Sequence, residues 1–110
     1  LSTASLTDLS ARMGIALSQD RWRGNLWLDG IEPWAELGWV GKHLAIGRTV
    51  FRIEERIERC SATTVDPETG RPNAPTLTAL NTHFGHQDFG LYGVVVESGP
   101  IAVGDEWRLA

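Results

Sequence analysis

The sequence predicts a mainly β fold, a small barrel-like domain carrying two or three short helices. Three observations lead there. Short runs rich in β-branched and aromatic residues recur between Gly, Pro and Asp turns. Only two stretches carry apolar residues at helical spacing between start and stop signals. The chain has 110 residues and no linker, repeat or low-complexity tract, which suits one hydrophobic core.

In chain order, Ser5-Leu6-Thr7-Asp8 reads as a capping box, with Leu6, Leu9 and Met13 on one helical face and Gly14 as the stop. Asn25 to Leu28, ending at Asp29-Gly30, reads as a short strand. His43 to Ile46, ending at Gly47, reads as another. Val50 to Cys60 is ambiguous: Phe51, Ile53 and Ile57 share a strand face, while Val50, Ile53 and Ile57 fit a helix. Thr49, Val50, Phe51 and Ile53 favour a strand, with a bulge around Glu54-Glu55. A second helix is signalled by Asn73 as cap, Pro75 in the first turn, Leu77, Leu80 and Phe84, and Gly85 as the stop. Leu91 to Val96, Ile101 to Val103 and Trp107 to Leu109 then form a terminal meander separated by Glu97-Ser98-Gly99-Pro100 and Gly104-Asp105.

The formal net charge of −4 and a pI near 5.2 argue against broad binding to nucleic acid or anionic membranes. No run reaches the length of a membrane span and no signal peptide is visible, so a cytoplasmic setting is expected. The opening at Leu1 instead of Met points to sequence missing upstream. One cysteine excludes an internal disulfide. The five tryptophans suit core or rim packing.

Three clusters could carry chemistry. In Arg21-Trp22-Arg23-Gly24-Asn25, an extended chain would put both guanidinium groups on one face, followed by an amide. That set suits a phosphate and a heterocycle, and it also suits a solvated edge strand. In Arg59-Cys60, followed by Ser61-Ala62-Thr63-Thr64-Val65-Asp66-Pro67-Glu68-Thr69-Gly70, the only thiol adjoins a fixed positive charge and a hydroxyl-rich turn. Arg59 would favour the thiolate, the form that binds soft metals or attacks sulfur; the plain alternative is a small buried hydrophobe. His83 and His86 flank Gly85 with no further His or Cys nearby, and read as polar residues at a helix end instead of a zinc site.

Taken together, these segments resemble the MOSC domain, named after the C-terminal part of molybdenum cofactor sulfurases. Arg21-Trp22-Arg23-Gly24-Asn25-Leu26 is similar to the family's Arg-aromatic-Arg-x-Asn-hydrophobic motif. Arg59-Cys60-Ser61-Ala62-Thr63 through Gly70 is similar to its Arg-Cys-x-x-Thr-x-Val-Asp-Pro-x-Thr-Gly segment. Trp39-Val40-Gly41-Lys42 to Gly47 resembles a strand pair of the family, and Phe89 to Asp105 its closing strands. Gly24 departs from a usual Pro, and Glu58 from a small polar residue.

The resemblance implies one MOSC domain over residues 1–110, a barrel-like fold and a molybdenum-pterin cofactor. It makes Cys60 the molybdenum ligand or a persulfide carrier, and Arg59, Arg23, Asn25 and, more weakly, Arg21 the cofactor contacts. The expected role is cofactor binding with sulfur handling, partnered by a cysteine desulfurase of the pyridoxal phosphate pathway. The alternative is a molybdenum-dependent reductase of N-hydroxylated compounds fed by an external electron-transfer protein. A third reading keeps the fold and makes Cys60 a structural residue.

Overall fold

The computed structural model describes residues 1–109. Helix α1 spans Thr3–Met13 and helix α2 spans Thr76–Phe84. The strands are β1 (His43–Ile46), β2 (Thr49–Glu58), β3 (Asp88–Glu97) and β4 (Trp107–Leu109). Short 3₁₀ turns lie at Gln19–Trp22, Ala35–Gly38 and Ser61–Thr64.

The strands form one antiparallel sheet in the order β3-β2-β1-β4. It is an open sheet with helices beside it, a mixed α/β arrangement, and the expected closed barrel is not formed. The reason lies in two segments that read as strands and do not pair as such. Asn25 to Leu28 runs as a loop, tied to the chain start by Thr3 N–H to Leu28 O and Leu28 N–H to Leu1 O. Ile101 to Val103 joins no ladder, and the Val103 side chain is fully exposed. Among the described residues nothing therefore joins β3 to β4.

The helix signals survive with shifted starts. Ser2, with φ −108° and ψ 130°, caps α1, its Oγ accepting from Ser5 N at 3.3 Å. The helix thus starts ahead of the expected box at Ser5, whose side chain is instead fully buried and bonded to Glu36. Gly14, at φ 68°, ends α1 in the left-handed region that glycine enters without strain. At α2, Asn73 does not cap. Its side chain accepts from Arg21 and donates to Asp66, and the helix begins after Pro75.

β2 slips register between Ile53 and Glu55, where the bulge was expected, and again at Val50/Phe51 and Arg56/Glu58. Bulges coil a long strand and re-aim its side chains. Two apolar clusters result. Leu6, Leu9, Leu80, Trp22 and Phe89 join the helices to β3, with the Trp22 and Phe89 rings stacked 4.3 Å apart. Ile31, Trp39, Leu44, Ile46 and Ile53 form the second cluster on the sheet, with Trp107 beside Trp39. Burying each large side chain stabilises by about 1.5–3 kcal/mol. The tryptophans are accordingly packing residues first. On the outer strand β3, Tyr92, Val94, Val95 and Val96 remain exposed.

Candidate functional site

The end of β2 carries Arg59 and Cys60 into a turn whose backbone is closely held. Arg59 N–H bonds Gln87 O at 2.8 Å, which keeps the strand's last residues against the start of β3. Cys60 is extended, with φ −115° and ψ −178°, and stands at the cap position of the 3₁₀ turn Ser61–Thr64. Its carbonyl accepts from Thr63 N and Thr63 Oγ1, and Thr63 Oγ1 in turn meets Thr76 Oγ1 at 2.9 Å.

Beyond it, Asp66 Oδ1 accepts from Glu68 N, Gly70 N–H returns to Asp66 O, and Asp66 N–H bonds Arg71 O. Thr63, Asp66 and Gly70 of the motif are therefore the scaffold of the loop that presents Cys60. The thiol itself is exposed. It fills no core space, which sets aside the reading of Cys60 as a small buried hydrophobe.

Arg21 belongs to that scaffold. It is 6% exposed, and its Nη1 donates to the carbonyls of Thr63 and Val65, both at 3.1 Å, while Nη2 donates to Asn73 Oδ1 at 2.7 Å. The expectation that Arg21 and Arg23 share the face of an extended chain is corrected. Gln19–Trp22 is a 3₁₀ turn, and Arg23 follows in the left-handed region at φ 53°. The two guanidinium groups consequently part. Arg21 faces a shallow hollow of about 190 Å³, and Arg23 faces a cavity of about 860 Å³.

Arg23, Gly24, Asn25 and Arg59 all line that larger cavity, and Cys60 is not among its lining residues. Arg23 and Asn25 are exposed and stand at the rim, whereas Arg59 is half-buried. Arg59 Nε donates to Phe89 O at 2.8 Å and Nη1 to Trp22 O at 2.9 Å. Its guanidinium carbon lies 5.5 Å from the Trp22 ring centroid and 5.9 Å from that of Phe89, within cation–π range. Nη2 is buried and has no partner among the described residues.

Burial lowers the Arg59 pKa from its usual value, with Tyr92 and Cys60 partly offsetting the effect. Close packing at two glycines preserves this wall. A Cβ at Gly90 (φ 87°) would come within 3.2 Å of Arg59 Nη2 and 2.9 Å of Leu1 Cγ, and one at Gly24 would overlap Leu1 Cδ1.

One wall residue was not singled out in the sequence. Glu36, 2% exposed, lines the same cavity. A glutamate in a short Trp-flanked stretch carries no periodicity that announces burial, so only the fold reveals it. His83 and His86 lie elsewhere: His83 is exposed, and His86 Nδ1 accepts from Asp88 N at 3.0 Å at the end of α2. Burial lowers the His86 pKa, with Arg56 acting in the same direction. Among the described residues no helix is long and apolar enough to cross a membrane.

The sequence that builds this site matches a known family along nearly its whole length. The MOSC domain family matches residues 1–108. The chain is a member of the MOSC family.

Similar proteins include human mitochondrial amidoxime-reducing component 1, 32% identical over 96% of this chain and 34% of that protein. Molybdenum cofactor sulfurase 2 of Culex quinquefasciatus is 33% identical over 77% of this chain and 11% of its own length. Molybdenum cofactor sulfurase of Drosophila willistoni is 35% identical over 66% of this chain and 9% of its own. The chain thus spans about a third of the amidoxime-reducing component and about a tenth of the sulfurases. By name, these MOSC relatives are proteins of molybdenum cofactor metabolism or of amidoxime reduction.

Proposed function

We propose that residues 1–110 form one MOSC unit that binds a molybdenum-pterin cofactor and handles sulfur, with Cys60 as molybdenum ligand or persulfide carrier. The observation that carries this reading is the buried, unpartnered Nη2 of Arg59 on a cavity rimmed by Arg23 and Asn25, one residue before the exposed thiol. A buried charged N–H without an acceptor is unfavourable, and an anionic ligand entering the cavity supplies one. The cavity also falls in the size range of small-molecule sites, about 300–1,000 Å³.

The residues therefore fit the cofactor in kind. Arg59 and Arg23 would hold its phosphate or pterin oxygens, and Asn25 offers both a donor and an acceptor to the heterocycle. Bound there, the cofactor would supply a sulfur-rich metal centre, for which a thiolate is the matching soft ligand. Arg21 is assigned to holding the Cys60 loop, since its nitrogens already bind that loop and Asn73. A reducing, cytoplasmic compartment and a cysteine desulfurase as partner belong to this reading, because an exposed lone thiol carries sulfur only where it stays reduced.

The alternative is a reductase of N-hydroxylated compounds drawing electrons from a separate protein. It is favoured by similarity to the amidoxime-reducing component over 96% of the chain. The deciding experiment uses protein purified from a host that makes the cofactor, assayed for molybdenum, pterin and persulfide. Incubation with a desulfurase and cysteine should place a persulfide on wild type and none on Cys60→Ser if the unit is a carrier. Molybdenum and pterin at comparable molar amounts, with turnover of N-hydroxylated substrates by reduced artificial donors, would establish the reductase. Neither cofactor nor persulfide would overturn both.

A further inference from the structure

The cavity wall holds a second buried charged side chain whose hydrogen bonding is incomplete. Glu36 stands in the 3₁₀ turn Ala35–Gly38. Its Oε1 accepts from Ser5 Oγ at 2.6 Å, and the same Ser5 oxygen accepts from Trp34 N at 2.8 Å, so α1 fixes the carboxylate in place. Oε2 is buried with no partner. The Leu1 ammonium on the same wall donates to Leu26 O at 2.9 Å and interacts with Glu36 through charge, without a hydrogen bond to Oε2. The Ser5 bond asks only for an acceptor, and a glutamine amide would provide that without a buried charge. The second oxygen is therefore left without a hydrogen-bond donor among the described residues.

We propose that Glu36 is a ligand-binding residue, its Oε2 accepting from an N–H edge of a molecule whose anionic part meets Arg59 and Arg23. Opposite charges on one cavity wall select a ligand that is a donor at one end and an anion at the other. This rests on the cofactor reading above, under which the donor edge is the amino-pyrimidinone edge of the pterin, a cyclic guanidine carrying adjacent N–H groups. Glu36 would then read the heterocycle, leaving the arginines for oxygen-bearing groups.

The test compares two probes, pterin and lumazine, the latter having a carbonyl in place of the 2-amino group. Binding is followed by tryptophan fluorescence, with molybdenum and pterin content measured on protein from the cofactor-making host. Wild type should bind pterin roughly tenfold or more tighter than lumazine, the effect of one charge-assisted hydrogen bond. Glu36→Gln should reduce that preference to within about twofold and lower the molybdenum and pterin content, while the melting temperature of cofactor-free protein moves little. Equal binding of the two probes by wild type overturns the proposal by itself, even if the variant fails to fold. Cofactor retained by wild type and Glu36→Gln alike, with the preference unchanged, removes Glu36 from the site and leaves the cofactor reading intact. Wild type that holds no cofactor and binds neither probe overturns both.

Discussion

A buried arginine and a half-buried one show how one chain divides stability from recognition. Arg21 makes two hydrogen bonds to the loop after Cys60 and a third to Asn73, while its buried Nε has no partner among the described residues. Arg59 makes two such bonds, to Trp22 O and Phe89 O, and keeps a buried nitrogen free on the wall of the large cavity. Both residues are linked to the Cys60 loop, Arg21 by binding it and Arg59 by preceding it. The first fixes where the thiol stands, and the second is left able to meet something that is not protein. Arginine content alone does not separate the two; the space each lines does, a small hollow for Arg21 and the large cavity for Arg59.

Removing the clamp should have the largest effect on folding. Arg21→Met leaves the Thr63 and Val65 carbonyls and the Asn73 amide without their donor, at about 3–5 kcal/mol. In a domain of this size, thermal unfolding should fall by roughly 15 °C or more. A loss below a few degrees would show that the loop holds itself and that the contrast is misdrawn.

Arg59→Met should divide its effect differently. The ring contacts keep an apolar partner, so stability should fall by only about 1–3 kcal/mol. Retained molybdenum and pterin should drop roughly tenfold or more. Equal losses of stability in Arg21→Met and Arg59→Met, with cofactor unaffected by either, would erase the distinction.

Cys60→Ser sharpens the comparison from the other side. The thiol is exposed and the substitution nearly isosteric, so the unfolding free energy from urea titration should stay within about 0.5 kcal/mol of wild type. Persulfide formation, or molybdenum retention, should be abolished. A marked destabilisation would return Cys60 to a structural role.

The smallest effect concerns His86, away from both arginines. Its folded pKa lies below the ordinary 6.5, so the unfolded chain takes up a proton first as pH falls. Stability is therefore greatest above about pH 6.5, declines below it and levels off once the folded imidazole also protonates. Urea midpoints at pH 7.5 and 5.5 should show a modest drop in wild type that shrinks in His86→Gln.

Much of this was readable in the residues, for physical reasons. Gly14 and Gly85 end their helices because the left-handed cap is a local demand that glycine meets. β2 and β3 follow from β-branched runs, and the bulge at Ile53/Glu55 from a broken alternation. Helix starts were displaced because Ser2 and Ser5 are both plausible caps, and only burial of Ser5 against Glu36 decides between them. Barrel closure could not be read from Asn25–Leu28 or Ile101–Val103, since alternation states a preference and pairing requires a neighbour. Arg21 and Arg23 looked alike until a single turn of 3₁₀ helix separated them. Glu36 was invisible because its meaning lies in a contact 31 residues away.

The outer strand β3 has a consequence for how the molecule behaves in company. Tyr92, Val94, Val95 and Val96 cover both of its faces and are all exposed, and one edge of its backbone has no strand beside it. Unpaired amides and carbonyls next to a run of valines offer a template on which another extended chain can lay down. No lysine or proline interrupts Phe89 to Glu97 to discourage it. Colloidal stability of this unit, as distinct from its folding free energy, is therefore governed by a few valines on an outer strand, and crowded solutions will test that edge before they test the core.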